Sequence, residues 1–307
     1  MTGPDRARAT TRAAIASVCV AILLIVLKAG AAAATGSVAM LASLADSTLD
    51  LVASLVILGA VRVAAIPADH DHRFGHGKAE ALAGLAQVGL VTASAIAIAI
   101  SAVRRLGADS DVVRPGLGIA VSLVAIVLTA ILISYQKRVV AATGSIAIAS
   151  DRLHYLSDLL LNGSVVVALL LDRGLGVRGA DPVFGIAISL WLLRGAWGSA
   201  ADAIDQLMDK EWPEEKRRLF LLAAAKHPEI VGIHDLRTRS SGTRNFVQFH
   251  MWVPEDMTVA AAHEVMDRIE GTLQAEFPDT EILIHLDPEG HHDTHPHSPA
   301  ELPEILR

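Results

Sequence analysis

Cysteine is nearly missing from this chain: Cys19 is the only one in 307 residues, and it sits in an apolar stretch. A single thiol excludes a disulfide framework and any site built from thiolates, and argues against copper(I). Charged residues are also scarce, at 19% against 52% hydrophobic, and the mean hydropathy is +0.45. Such values lie away from ordinary soluble domains. There is no basic patch, which argues against nucleic acid as a partner. The first apolar run lacks a persuasive cleavage site, so it reads as a span rather than a signal peptide.

The charge that is present is uneven. Residues 1–200 carry 16 Lys and Arg against 12 Asp and Glu, whereas 201–307 carry 10 against 21. A mildly basic, apolar block followed by an acidic one reads as a membrane domain followed by an aqueous domain. Runs long enough to cross roughly 30 Å of hydrocarbon occur near 13–34, 38–61, 79–103, 114–136, 146–171 and 181–201. Arg6, Arg8 and Arg12 precede the first and favour a cytoplasmic N-terminus; six spans then return the C-terminus to the same side. The expected organisation is a cytoplasmic arm over 1–12, a six-helix transmembrane domain over 13–208, a cytoplasmic domain over 209–290 and a disordered tail over 291–307. That tail holds His291, His292, His295 and His297.

Ala34-Thr35-Gly36-Ser37 recurs as Ala142-Thr143-Gly144-Ser145, an offset of 108 residues. Carried forward, the offset sets Asp46 on His154 and Asp50 on Asp158. Three spans separate the copies, so the second and fifth spans run in opposite directions, the inverted repeat of many secondary transporters. Residues i and i+4 share a helix face. Asp46, Asp50, His154 and Asp158 thus offer three carboxylates and one imidazole, enough for a tetrahedral divalent ion. Lys28, Arg152 and Arg194 are the alternative partners for these groups. Asp151, followed by Arg152, reads as an ordinary interfacial ion pair.

Past the spans, 213–227 reads as a helix, 230–239 and 245–253 as strands, 258–276 as a helix and 280–287 as a strand. The fold class is therefore an α-helical membrane protein with six transmembrane helices plus a C-terminal α+β, ferredoxin-like domain of order α-β-β-α-β. His285 and Asp287 share one face of the last strand, and His250 shares a face with Gln248. His234 opens the first strand and His263 lies on the second helix. Asp69, His70, Asp71, His72 and His76 crowd the loop after the second span.

Four stretches together resemble the cation diffusion facilitator family, in particular its bacterial zinc and ferrous-iron efflux members. They are Asp46-Ser-Thr-Leu-Asp50, the loop from Asp69 through Phe74-Gly75-His76-Gly77-Lys78, His154-Tyr-Leu-Ser-Asp158, and the C-terminal histidines. The resemblance covers about residues 13 to 290. It implies no enzyme but a proton-coupled antiporter in the cytoplasmic membrane, a homodimer joined through its cytoplasmic domains, with Asp46, Asp50, His154 and Asp158 as the transport site. By the same resemblance Asp69, His72 and His76 are a loop metal site, and His234, His250, His263, His285 and Asp287 are the cytoplasmic metal positions, Asp287 bridging two ions. Leu286 departs from the family there, where some relatives place a polar residue. Lys78 would pair with Asp209 as a structural interlock.

The donor set suits Zn2+, transported and regulatory, and also admits Fe2+, Cd2+ or Mn2+, with protons as counter-ion. Two other readings use the same residues. A membrane metalloenzyme would need an open coordination position and a further base. A metal sensor or scaffold without transport would leave the intramembrane Asp and His unexplained.

Overall fold

The computed structural model describes residues 3–35, 38–105, 117–175 and 180–291. The chain divides into two units, Gly3–Ile204 and Asp205 onward. The first is built from six helices: α1 (Gly3–Thr35), α2 (Val38–Ala64), α3 (Ala79–Arg105), α4 (Leu117–Thr143), α5 (Ile146–Leu175) and α6 (Ala180–Leu207). The shortest have 27 residues, about 40 Å of helix, more than the roughly 30 Å of hydrocarbon to be crossed. By length and composition, α1, α2, α3, α4 and α6 can span a membrane. α5 is 30 residues long and differs in carrying Asp151, Arg152, His154 and Asp158 in its first half.

Large apolar side chains point outward here. Val26, Leu49, Leu82, Ile131 and Trp197 are all more than half exposed, which suits lipid contact. Small residues such as Ala13, Ala14, Ala21 and Ala147 are buried between the helices beside Ile57, Ile148 and Leu192, and let helix backbones approach closely. At Gly84 on α3, a Cβ would lie 2.9 Å from the Ile146 side chain and 3.1 Å from Ser150 Oγ on α5. α4 ends at Gly144, which takes φ +68. Ser145 then accepts from the Ile148 amide and donates to the Glu80 carboxylate, tying the start of α5 to the start of α3. α2 and α5 each begin just after their copy of the sequence repeat; Gly36 and Ser37 of the first copy lie outside the described residues.

Several boundaries differ from expectation, that of α6 among them, which ends at Leu207 rather than near 201. Residues 3–12 are the first turns of α1 rather than a separate arm, because Pro4 falls in the first turn, where proline is tolerated, and no breaker follows it. α4 continues seven residues past its apolar run to Thr143, again for want of a breaker before Gly144. Its expected start near 114 lies outside the described residues.

The second unit runs α7 (Glu214–Ala224), β1 (Gly232–Ser241), β2 (Arg244–Val253), α8 (Val259–Glu276) and β3 (Thr280–Pro288), the expected order. β2 is central, antiparallel to β1 and parallel to β3, with α8 as the crossover a parallel pair requires. Alternation sends Val247, Phe249, Met251, Ile282 and Ile284 into one core with Phe220 of α7 and Ile269 and Leu273 of α8. The other face carries His234, His250 and His285 together with Gln248, Phe246, Trp252 and Leu283. Pairing aligns His234 with His250 and His250 with His285, so three imidazoles stand in a row across three strands. A bulge between His234 and Arg237, with Asp235 at φ +48, lets both Ile233 and Leu236 reach the core while His234 keeps to the row.

Candidate metal centres

α2 and α5 bring three of the four intramembrane candidates together. His154 Nε2 lies 3.0 Å from Asp50 Oδ1 and 3.8 Å from Asp158 Oδ2. These distances bracket the roughly 3.3 Å edge of a tetrahedron with metal–ligand bonds of about 2.0–2.1 Å. The side chains of His154, Asp50 and Asp158 are 13%, 17% and 33% exposed, shielded yet open on one side. Asp46, one turn earlier on α2, is exposed and outside this trio. Asp50 and Asp158 meet His154 rather than Arg152 or Arg194. Lys28 donates instead to Ser47 Oγ at 2.6 Å and to the Ser43 carbonyl at 3.2 Å.

The loop between α2 and α3 is organised by Asp69. Its Oδ1 accepts from the amides of His72 (2.7 Å) and Asp71 (3.0 Å), an aspartate-capped turn. The turn folds back the chain so that His72 Nδ1 lies 3.3 Å and His76 Nε2 3.5 Å from the same carboxylate. Their rings are 4.3 Å apart. Gly75 at φ +78 makes the reversal possible. His70 and Asp71, the two further candidates, pair with each other at 3.4 Å and point into solvent. The His72 amide, above all, holds the Asp69 carboxyl below its usual range, with desolvation opposing it and the Asp71 amide adding to it.

On the sheet, Asp287 is buried and stands among three histidines. His250 Nδ1 and His234 Nε2 lie 2.9 and 3.1 Å from its Oδ2, while His285 Nε2 lies 3.4 Å from its Oδ1. One carboxylate thus offers an oxygen to either side. Leu286 packs against the core on the opposite face. His263 does not join this group. It stands 63% exposed on α8, which packs on the core side of the sheet, and pairs with Asp267 one turn on at 3.7 Å.

Lys78 and Asp209 fall in different units; within its own, Asp209 takes φ +55 and lies 3.5 Å from Arg239. Of the tail histidines, His292, His295 and His297 lie outside the described residues. Asp151 is no interfacial ion pair: it is fully buried and accepts from Ser17 and Gln136. Sequence reasoning also missed Asp235, whose Oδ2 lies 3.8 Å from His250 Nε2 and which Arg237 clamps through two contacts. The bulge that places Asp235 leaves no local signal in the sequence. Trp252, whose ring lies 4.9 Å from that of His234, was missed as well; strand alternation from His250 could have found it.

The lowered Asp69 carboxyl fixes a pH dependence. Its folded value is depressed, so its contribution to the turn is complete above the unfolded value and is lost only as pH falls through the folded one. Amide exchange at His72 and Asp71, corrected for intrinsic rates, is expected to stay protected from pH 7 to about 5 and to lose protection only below about 4. Asp69→Ala removes the protection throughout. Wild-type protection that fades between pH 7 and about 5 would contradict this account of the turn.

The same chain is matched by two family profiles. The cation efflux transmembrane domain matches residues 14–208, and the cytoplasmic domain of cation efflux proteins matches residues 212–289. The cation-efflux pump FieF of Pectobacterium atrosepticum is 41% identical over 285 residues, covering 93% of this chain and 95% of its own. That of Escherichia coli is 40% identical over 281 residues, covering 92% and 93%. Among solved structures, the metal-bound C-terminal domain of the CzcD transporter from Thermotoga maritima is 25% identical; the match covers 27% of this chain and 99% of that one, with a TM-score of 0.25. A full-length match of this kind, over a helical membrane unit and an α+β domain, means that the chain belongs to the cation diffusion facilitator family of cation efflux transporters.

Proposed function

We propose that the chain exports a divalent transition metal, zinc foremost, across the cytoplasmic membrane in exchange for protons. The observation that carries this reading is the meeting of Asp50, His154 and Asp158 at one imidazole nitrogen, on helices long enough to span a bilayer. A charged side chain at the bilayer centre costs about 2.5–3.5 kcal/mol even on the mildest scale, and such groups mark ion pathways. Each ligand must lose its proton to bind a metal, so the ion and protons compete for the same atoms. A site that opens to one side at a time then carries metal one way and protons the other. One imidazole among carboxylates favours zinc, with ferrous iron, cadmium and manganese as weaker fits. Asp46 is assigned the fourth ligand, on the strength of its place one turn from Asp50.

In this reading Asp69, His72 and His76 collect the ion near the cytoplasmic surface, both termini being cytoplasmic. The acidic second unit pairs with that of a second copy of the chain. Metal bound by His234, His250, His285 and Asp287 offsets the repulsion between the two, which the 21 acidic against 10 basic residues of 201–307 make considerable.

Two measurements test the reading. In liposomes with a trapped zinc dye, uptake by wild type is expected to follow an imposed proton gradient and to vanish in Asp50→Ala. Gradient-independent uptake, or an active Asp50→Ala, contradicts antiport through this site. For the second unit, small-angle scattering of the full-length protein in nanodiscs is expected to show compaction on adding zinc and none in Asp287→Ala; an unchanged wild-type profile at saturating zinc contradicts the regulatory role.

A further inference from the structure

One turn away from the intramembrane trio lies a second polar group that neither binds metal in the reading above nor faces lipid. Ser17 on α1 is its hub. Its Oγ donates to Asp151 Oδ2 on α5 at 2.6 Å and accepts from Gln136 Nε2 on α4 at 3.0 Å. Gln136 Nε2 also donates to Asp151 Oδ2, at 2.7 Å. The Ser17 carbonyl accepts from the Tyr155 hydroxyl at 3.2 Å, and Tyr155 shares a 2.9 Å hydrogen bond with Ser54 Oγ on α2. Ser17, Ser54, Gln136 and Asp151 are wholly buried and Tyr155 is 1% exposed. Four helices therefore meet in one set of directional contacts.

The positions of these residues give the node its meaning. Ser54 follows Asp50 by four residues on α2. Asp151 precedes His154 by three on α5, and Tyr155 is its immediate neighbour. Both helices that carry the trio are thus fastened within a turn of it. Apolar contacts between helices tolerate sliding, but a hydrogen bond does not survive a shift of the 1.5 Å rise of a single residue. The trio needs that precision, because both carboxylates converge on one nitrogen.

We propose that this node is a register pin for the transport site, with Asp151 and Tyr155 as positioning residues that hold His154 against Asp50 and Asp158. The inference rests on reading that trio as the transport site. The pin works through hydrogen bonds accepted by Asp151, not through its charge, because its Oδ2 takes both donors while its Oδ1 has no hydrogen-bond partner among the described residues. Asparagine at this position keeps one accepting oxygen; leucine keeps none.

The test uses full-length protein in nanodiscs with the other clusters silenced by Asp69→Ala with His72→Ala and by His234→Ala, His250→Ala and Asp287→Ala, titrated with zinc and with manganese. On this background Asp151→Leu and Tyr155→Phe are expected to weaken zinc binding about 10-fold or more, while Asp151→Asn stays within about 2-fold. Zinc should lose more than manganese, because zinc relies on the imidazole and manganese on carboxylates; a general loss of stability would weaken both alike. If Asp151→Leu does not fold, Tyr155→Phe and Ser54→Ala, which each remove little more than a hydroxyl, carry the test. Unchanged zinc affinity and unchanged zinc-over-manganese preference in these variants overturn the pin. So does an Asp151→Asn variant as weak as Asp151→Leu, which would make the charge the operative feature. Zinc binding that survives Asp50→Ala on the same background removes the transport-site reading itself, and the pin with it.

Discussion

Hydrocarbon cannot solvate a carboxylate, and this constraint shapes the membrane-spanning unit. Asp50, His154 and Asp158 are tolerable on spanning helices because they turn inward and meet one another. For two helices to bring an imidazole nitrogen within 3.0 Å of a carboxylate, their neighbours must pack closely, and the alanine-rich interior and Gly84 permit that. The same logic extends to Ser17, Gln136, Asp151 and Tyr155, which turn inward and hydrogen-bond to one another. Polar groups that would each be a liability alone become a means of fixing geometry when they are joined.

Three clusters draw on the same donors, imidazole and carboxylate, but on different scaffolds. Between α2 and α5 the donors come from two rigid helices and are mostly shielded. In the loop they come from one aspartate-capped turn, with Asp69 and His72 about half exposed. On the sheet they come from strand register, which sets His234, His250 and His285 side by side before any ion is present. A turn can release what it gathers, a buried helix pair selects by geometry, and a sheet row holds its donors at fixed spacing. In the proposed reading those properties correspond to collecting, moving and sensing an ion.

Much of this could be read in the sequence, where local pattern carries the information. Six apolar runs give six helices because the length needed to cross hydrocarbon is fixed, and the Ala-Thr-Gly-Ser repeat marks where α2 and α5 begin. The alternation of Val247, Phe249 and Met251 against His250 gives the histidine-bearing face of β2. What the sequence hid depends on contacts between distant segments. Asp151 reads as half of an interfacial ion pair with Arg152 until Ser17, 134 residues away, is found bonded to it. His263 lies on α8, on the core side of the sheet and apart from the histidine row of its own chain, a placement that spacing alone does not give. Asp46 and Asp50 are the repeat counterparts of His154 and Asp158, yet only Asp50 meets His154, because the helix crossing sets which turn is nearest. The bulge at Asp235 alters the phase of β1 without any glycine or proline to announce it.

The central claim is that the α2–α5 trio binds a divalent ion through one imidazole and neighbouring carboxylates. X-ray absorption at the zinc edge tests it most directly, on full-length protein carrying Asp69→Ala and His72→Ala in the loop and His234→Ala, His250→Ala and Asp287→Ala on the sheet, so that of the three clusters only the intramembrane one remains. The account predicts one zinc in a four-ligand shell of nitrogen and oxygen at about 2.0–2.2 Å, with the scattering signature of imidazole, and its loss when His154→Ala is added. A protein that retains no zinc, or a shell that lacks imidazole and is indifferent to His154→Ala, would contradict it.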